Sequence, residues 1–285
     1  MGKKIIKFGI LIFLIVDVLL LSAVIGENPG RVIRRIINGP PPTPTPIPTV
    51  RVMFPEGSTV RDTLALLEKN GVADMDSLIN AAANGEFDYN FITSGADLGI
   101  ERLEGYLFPD TYEFYQPENP ERALNRLLSN CAKKIDERAS GFEMLQERGY
   151  SVQDVMIIAS LIEKETDGTD GANIASVIYN RLEGSGNRGG TYGLLQIDAA
   201  LLYILDHSPI TSGDLELDSP YNLYKNTGLP PTPIANPGAK AIDAALYPAE
   251  TDYYYYALAK NGRHQFFENY QDFSAFLNSE NYVSN

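Results

Sequence analysis

Apolar positions change their period several times along the chain, and each change marks an element. Residues 8–25 (FGILIFLIVDVLLLSAVI) are apolar except for Asp17 and approach the ~20 residues needed to span a bilayer. The run predicts a membrane anchor, with a cleaved signal peptide as the alternative. The apolar region of such a peptide is usually only about 7 to 15 residues, and Val24-Ile25-Gly26 is a weak cleavage site. Lys3, Lys4 and Lys7 before the run are nearly balanced by Arg31, Arg34 and Arg35 after it. The short N-terminal tail therefore decides for an inside N-terminus and an outside body. Residues 1–38 are read as tail, anchor and juxtamembrane segment. Residues 39–49 (GPPPTPTPIPT) alternate proline and form an extended spacer or linker.

The period then drops to two. TVRVMF at 49–54 alternates like a strand, PEGS turns the chain, and Val60, Leu64 and Leu67 repeat at helical spacing before Gly71. MDSLINAAANG at 75–85 predicts a second helix, capped by Asp74 or Asp76. With a returning strand this gives a small α+β module over residues 50–100, similar to the LysM-like subdomain that binds glycan chains; a structural packing role is the alternative. Asn119-Pro120-Glu121 opens a helix that runs past Cys131 toward Ala139. Ser151 and Asp154 form a capping box for SVQDVMIIASLIEKET at 151–166. Between Val155 and Ile162 only Ser160 is polar, so this helix must be buried nearly all round. Near the end, YYYYALA at 253–259 predicts a strand, Asn261-Gly262 a turn, and the following residues a short return.

Composition narrows the chemistry. The 285 residues are 44% hydrophobic and 21% charged, which is ordinary for a folded protein. The net charge of −14 is uneven: residues 1–50 hold six Lys and Arg against two acids, leaving 17 against 35 in the rest. So acidic a body repels phosphate backbones and argues against nucleic acid as a partner. One cysteine, Cys131, and two histidines, His207 and His264, exclude an internal disulfide, a thiolate zinc site and a His-rich metal centre. No cofactor is expected.

The candidate chemistry lies where the buried helix ends. Positions 156, 159, 160 and 163 share a helical face, which sets Glu163 under Met156, Ala159 and Ser160. A carboxyl held against such a strip has its charged form disfavoured, as a general acid near neutral pH requires. The plain alternative makes EKET the solvated end of a core helix. Glu165, two residues on, points about 200° away around an ideal helix.

Six segments in order carry a resemblance: LEGYLFPDTYEF at 103–114, ASLIEKET at 159–166, ASVIYNRL at 175–182, LQID at 195–198, SPYNLY at 219–224 and GLPPTPIANPGAKAIDAALYP at 228–248. Together they resemble the YceG-like family of endolytic murein transglycosylases, over residue 50 to the C-terminus. The resemblance implies an α+β fold, in which a LysM-like module leads into a mixed helical and sheet catalytic domain at 101–285. It also implies a membrane-anchored enzyme that cleaves MurNAc–GlcNAc bonds in nascent peptidoglycan strands, leaving 1,6-anhydro-muramic ends without metal or cofactor. Penicillin-binding proteins and elongation or division proteins are the implied partners. By position, Glu163 of the EKE motif is the acid and base, with Glu165 and Ser160 in support. Glu104, Tyr106, Gln196, Asp198, Tyr221, Asn222 and Asn236 are the substrate-contact candidates. Gln196 and Asp198 would face one way from an extended segment. The chain departs from the family at Ile197, where Ser or Thr is usual, at Ala200, where Thr is usual, and at Thr232, Phe267, Asn269 and Phe273. Its segment 183–193 is longer and richer in glycine than the loop expected. These departures keep a second reading open, a non-catalytic glycan-binding scaffold; a hydrolase that uses Glu104 or Asp198 on water is a third.

Overall fold

The computed structural model describes residues 46–92, 98–166, 168–184 and 188–283, with isolated positions between 20 and 34. Most of the expected anchor and of the proline-rich spacer lies outside the described residues, as do positions 185–187 of the glycine-rich segment. The chain divides into two units, Met1–Ile47 and Pro48–Asn285. All candidate chemistry belongs to the second.

That unit is α+β. Strand β1 (Thr49–Met53) is followed by α1 (Val60–Lys69) and α2 (Met75–Asn84). Thr59 caps α1 in a reciprocal box with Asp62, and Asp74 caps α2, so both starts are closed by side-chain oxygens on free backbone N–H groups. The returning strand is β2 (Thr111–Tyr115), antiparallel to β1 with Thr49 opposite Tyr115 and Met53 opposite Thr111. It lies beyond residue 100 because a 3-10 turn at Gly99–Leu103 and the LEGYLFPD segment intervene.

The helical part follows: α3 (Pro120–Asp136), α4 (Ala139–Glu147), α5 (Val152–Glu165), α6 (Gly171–Glu183), the short α7 (Asp198–Leu202) and α8 (Ala239–Leu246). Asn119 caps α3 with Pro120 at its first position, and Ser151 with Asp154 closes α5. Every residue from Val155 to Ile162 is buried, which explains why this stretch shows no polar face. α8 and α6 pack against α5. Burying side chains such as Ile158, Leu161 and Ile162 contributes ~1.5 to 3 kcal/mol each. One hydrophobic core runs from Val52 and Leu64 through Leu124 and Ile158 to Ile242. Cys131 sits inside it, and burial pushes its thiol up to about 12; it is a core residue.

The chain ends in an antiparallel pair, β3 (Tyr255–Leu258) with β4 (His264–Phe267), and α9 (Tyr270–Leu277). Phe267 packs on Phe273 and Phe276 of α9, with ring centroids 5.9 and 5.3 Å apart. The aromatic departures near the C-terminus thus attach this last helix to the sheet.

Candidate active site

Helix α5 delivers two acids to two different places. The ~200° between residues two apart on a helix turns Glu163 and Glu165 onto opposite sides. Glu163 is half-buried beside Glu56 and Lys240, in a cavity of about 150 Å³. Its Oε2 accepts the Gly238 N–H at 2.9 Å, at the start of α8. Burial raises this carboxyl and Glu56 adds to the effect, while the Gly238 N–H, Lys164 and Lys240 oppose it. Lys164 donates to the Gly57 carbonyl at 3.4 Å, so the end of α5 is fastened both to the Glu56-Gly57 turn and, through Glu163, to the start of α8.

Glu165 faces a cavity of about 440 Å³, shared with Arg181, Gln196, Asp198, Tyr224 and Tyr256. Its Oε2 accepts the Tyr256 O–H at 3.1 Å. Burial raises its pKa, Asp198 adds to this, and Tyr256, His264 and Arg181 pull the other way. Gln196 and Asp198 are exposed toward this space, but not from an extended segment. Gln196 has a left-handed φ of 49°, and Asp198 is the first residue of α7. A turn stitched by the Gln196 N–H to Leu223 O, at 3.0 Å, aims the two side chains instead. The Tyr224 hydroxyl donates to the Asp198 carboxylate. Arg181 is buried, donates to the carbonyls of Leu195 and Tyr254, and lies 5.4 Å from the Tyr255 ring centroid. Tyr255 stacks on Phe273 at 4.9 Å and Tyr270 stands exposed beside them, making an aromatic wall. Ile197 and Ala200 are buried, so the departures there add core contacts.

Other candidates lie elsewhere. Glu104 is 1% exposed; its carboxylate accepts from the Val60 N–H at 3.0 Å and the Tyr203 O–H at 3.0 Å. Burial pushes it up to about 7. With Tyr203 and Tyr221 it borders a separate groove of about 670 Å³. The Tyr221 hydroxyl is bonded to Thr232 at 2.7 Å, which gives the unusual Thr232 a partner. Asn222 is fully buried; it donates to Leu215 O and Leu217 O and accepts from the Tyr224 N–H, fixing the loop that carries Tyr224. Asn236 accepts from the Leu107 N–H at 2.9 Å and donates to Ser58 O at 2.8 Å, a buried pin between distant segments. Ser160 donates to Ile157 O and accepts the Ile234 N–H at 3.0 Å, so it holds the proline-rich loop before α8. Tyr106 is buried and stacked on Phe91 at 4.9 Å, a core ring with no open face for a sugar.

Gln196 and Asp198 therefore meet Glu165, while Glu163, Glu104 and Tyr221 line other spaces. Arg181, Tyr224 and Tyr256 complete the Glu165 cavity and were not singled out by sequence reasoning. Arg181 and Tyr224 sit inside the ASVIYNRL and SPYNLY segments, which was the available signal; nothing distinguishes Tyr256 within its run of four tyrosines. Among the described residues no three His, Cys, Asp or Glu side chains converge as a metal site.

Comparison with known proteins follows the same outline. The YceG-like family profile matches residues 26–279. An endolytic murein transglycosylase of Bacillus subtilis (strain 168) is 40% identical over 164 residues, covering 56% of this chain and 43% of that protein. One from Streptococcus pneumoniae serotype 2 (strain D39) is 31% identical over 173 residues, covering 60% of this chain and 31% of that protein. The aligned part thus spans less than half the length of either relative. The crystal structure of a YceG-like protein from Listeria monocytogenes superposes with a TM-score of 0.65 at 29% identity, covering 88% of this chain and 82% of that one.

Proposed function

Because the chain belongs to the YceG-like family, we propose that it is a peptidoglycan lytic transglycosylase whose acid and base is Glu165. The observation that carries this reading is the meeting of Glu165 with Gln196 and Asp198 in one open cavity. Glu163 has the right chemistry, but its cavity is about a third of the size, and its carboxylate is already engaged by the start of α8.

The geometry suits the reaction. A carboxyl whose protonated form is favoured by burial gives its proton to the glycosidic oxygen as the C1–O bond of the muramic residue breaks. The carboxylate left behind takes the proton of the same sugar's 6-hydroxyl as that oxygen bonds to C1. The substrate supplies its own nucleophile, so no second carboxylate is required to activate water, unlike a hydrolysing glycosidase. The Asp198 carboxylate, bonded by Tyr224, offsets positive charge on the sugar ring and favours the protonated form of Glu165. Gln196 presents an amide donor and acceptor to sugar hydroxyl and acetamido groups. The exposed Tyr270 and half-buried Phe273, backed by the buried Tyr255, offer apolar faces to sugar rings.

In the same reading residues 8–25 anchor the protein with its body on the extracytoplasmic side, and the proline-rich spacer holds that body off the membrane. The β1–α1–α2 part acts as the LysM-like glycan contact. Nascent strands are the substrate, with penicillin-binding and elongation or division proteins as neighbours. The test is release of soluble fragments from uncrosslinked strands by the parent, Glu165→Gln and Glu163→Gln. Loss of about 100-fold or more in Glu165→Gln, with Glu163→Gln within about tenfold, is expected; the reverse ranking returns the acid to Glu163.

A further inference from the structure

Strand β3 brings to Glu165 a side chain that the reaction as described does not use. The Tyr256 hydroxyl donates to Oε2 of Glu165 at 3.1 Å. Behind it, the His264 ring meets the Tyr256 ring edge-on, with centroids 5.4 Å apart and planes at 88°. His264 is fixed in turn by Asp170, the residue just before α6: Nδ1 lies 2.9 Å from Asp170 Oδ2, and the His264 backbone N–H reaches the same oxygen at 3.3 Å. Thr166, the residue after α5, also donates to Asp170. An ionised Asp170 is acceptor only, so Nδ1 of His264 carries the hydrogen. The chain Asp170–His264–Tyr256–Glu165 therefore links the ends of α5 and α6 to the sheet through four side chains.

Resting on the proposed reaction, we propose that Tyr256 is a positioning residue that keeps Oε2 of Glu165 as a constant acceptor, so that the transferable proton resides on Oε1, and that the Asp170–His264 pair holds the Tyr256 ring for this task. An oxygen that accepts a hydrogen bond behaves as the carbonyl oxygen of the acid, which leaves the hydroxyl proton to its partner oxygen. The donor must never lose its own proton for this to hold. Burial and the neighbouring Glu165 keep the Tyr256 phenol well above its ordinary range, so it stays a donor at every working pH. The same bond favours the ionised form of Glu165 and opposes the effect of burial. Asp170 stays anionic: burial pushes it up, but the bonds from Thr166 and His264 together hold it below the ordinary carboxylate value.

The other groups facing Glu165 are Asp198 at the start of α7, Arg181 on α6, His264 on β4 and Tyr224 in the loop after α7. All of them stay in place when the Tyr256 hydroxyl is removed, so its contribution can be read alone. In the full-length protein, Tyr256→Phe should move the basic limb of the kcat/KM profile up by about one pH unit, since a donor to the carboxylate has been lost. It should also lower kcat about tenfold with KM within about twofold, since the ring and cavity are kept. Asp170→Asn should move the limb in the same direction by a smaller amount. Site-specific replacement of Tyr256 by 3-fluorotyrosine, a stronger donor, should move the limb down, and this decides the matter if Tyr256→Phe fails to fold. A kcat loss with an unmoved limb in Tyr256→Phe, or an unmoved limb with fluorotyrosine, overturns the positioning role while Glu165→Gln stays inactive. Retained activity in Glu165→Gln overturns the reaction assignment on which it rests.

Discussion

Replacing Glu104 by Gln should flatten one part of the protein's stability against pH. Glu104 is buried, and its pKa is pushed by that burial from 4.5 to about 7. The folded form therefore binds this proton more tightly than the unfolded chain. Between those two pH values the native state holds more protons, so stability falls as pH rises. The contribution is complete below about pH 4.5 and gone above about pH 7. The gap corresponds to roughly 3 kcal/mol, and relaxation around the charged form brings the expected difference to about 1 to 3 kcal/mol. Glutamine keeps the shape and stays neutral. Its carbonyl oxygen can accept from the Val60 N–H, and its amide can donate to the Tyr203 hydroxyl, replacing the two contacts seen for the carboxylate. Urea melts of parent and variant should nearly coincide at about pH 4.5 and separate above about pH 7, the variant being more stable there, with equal m-values. Glu163 and Glu165 titrate in both proteins and cancel in the difference. A difference that is flat with pH, or a variant less stable at the higher pH, would refute the reasoning.

Three further substitutions test buried contacts that hold the fold together away from the Glu165 cavity. Gly105→Ala places a Cβ 2.5 Å from Pro233 Cγ at a φ of +87°, and should cost ~2 to 4 kcal/mol, read as a Tm lowered by several degrees. Asn236→Ala leaves the buried Leu107 N–H without its acceptor; it should cost ~1 to 3 kcal/mol in denaturant melts while KM for glycan stays within about twofold, because the side chain is buried and bonded to Leu107 and Ser58. Ser160→Val strands the Ile234 N–H, 3.0 Å from the hydroxyl it loses, and should destabilise by a similar ~1 to 3 kcal/mol; melts equal to the parent would contradict that role.

Three helix starts were readable because their chemistry is local: Asp74, Asn119 and Ser151 each cap with a side-chain oxygen that reaches only three residues ahead. The all-round burial of Val155–Ile162 was equally plain, since a helix without a polar face has nowhere else to go. That burial also left the choice between the two acids at the helix end open. When every face is covered, an apolar strip under Glu163 does not tell which of two acids opens onto a cleft. The choice depends on Gly238, Glu56 and Lys240 closing one side and on Gln196, Asp198 and Tyr224 opening the other, all from segments far away in the chain. Gln196 and Asp198 were legible as a pair but not in conformation, because a left-handed Gln196 is set by its bond to Leu223 and not by its neighbours in sequence. Asn222 and Asn236 looked like sugar contacts for the reason that makes them good pins: an amide both donates and accepts, and burial alone separates the two uses.

The central claim is a proton transfer by Glu165 that ends in an intramolecular ether and leaves water out. Digestion of uncrosslinked glycan strands by the full-length protein in heavy-oxygen water, followed by mass spectrometry of the soluble products, tests it most directly. The account predicts anhydro-muramic ends that carry no heavy oxygen from the parent and no such products from Glu165→Gln. Reducing ends labelled with heavy oxygen would make the protein a hydrolase, and anhydro products undiminished in Glu165→Gln would contradict the assignment of the acid.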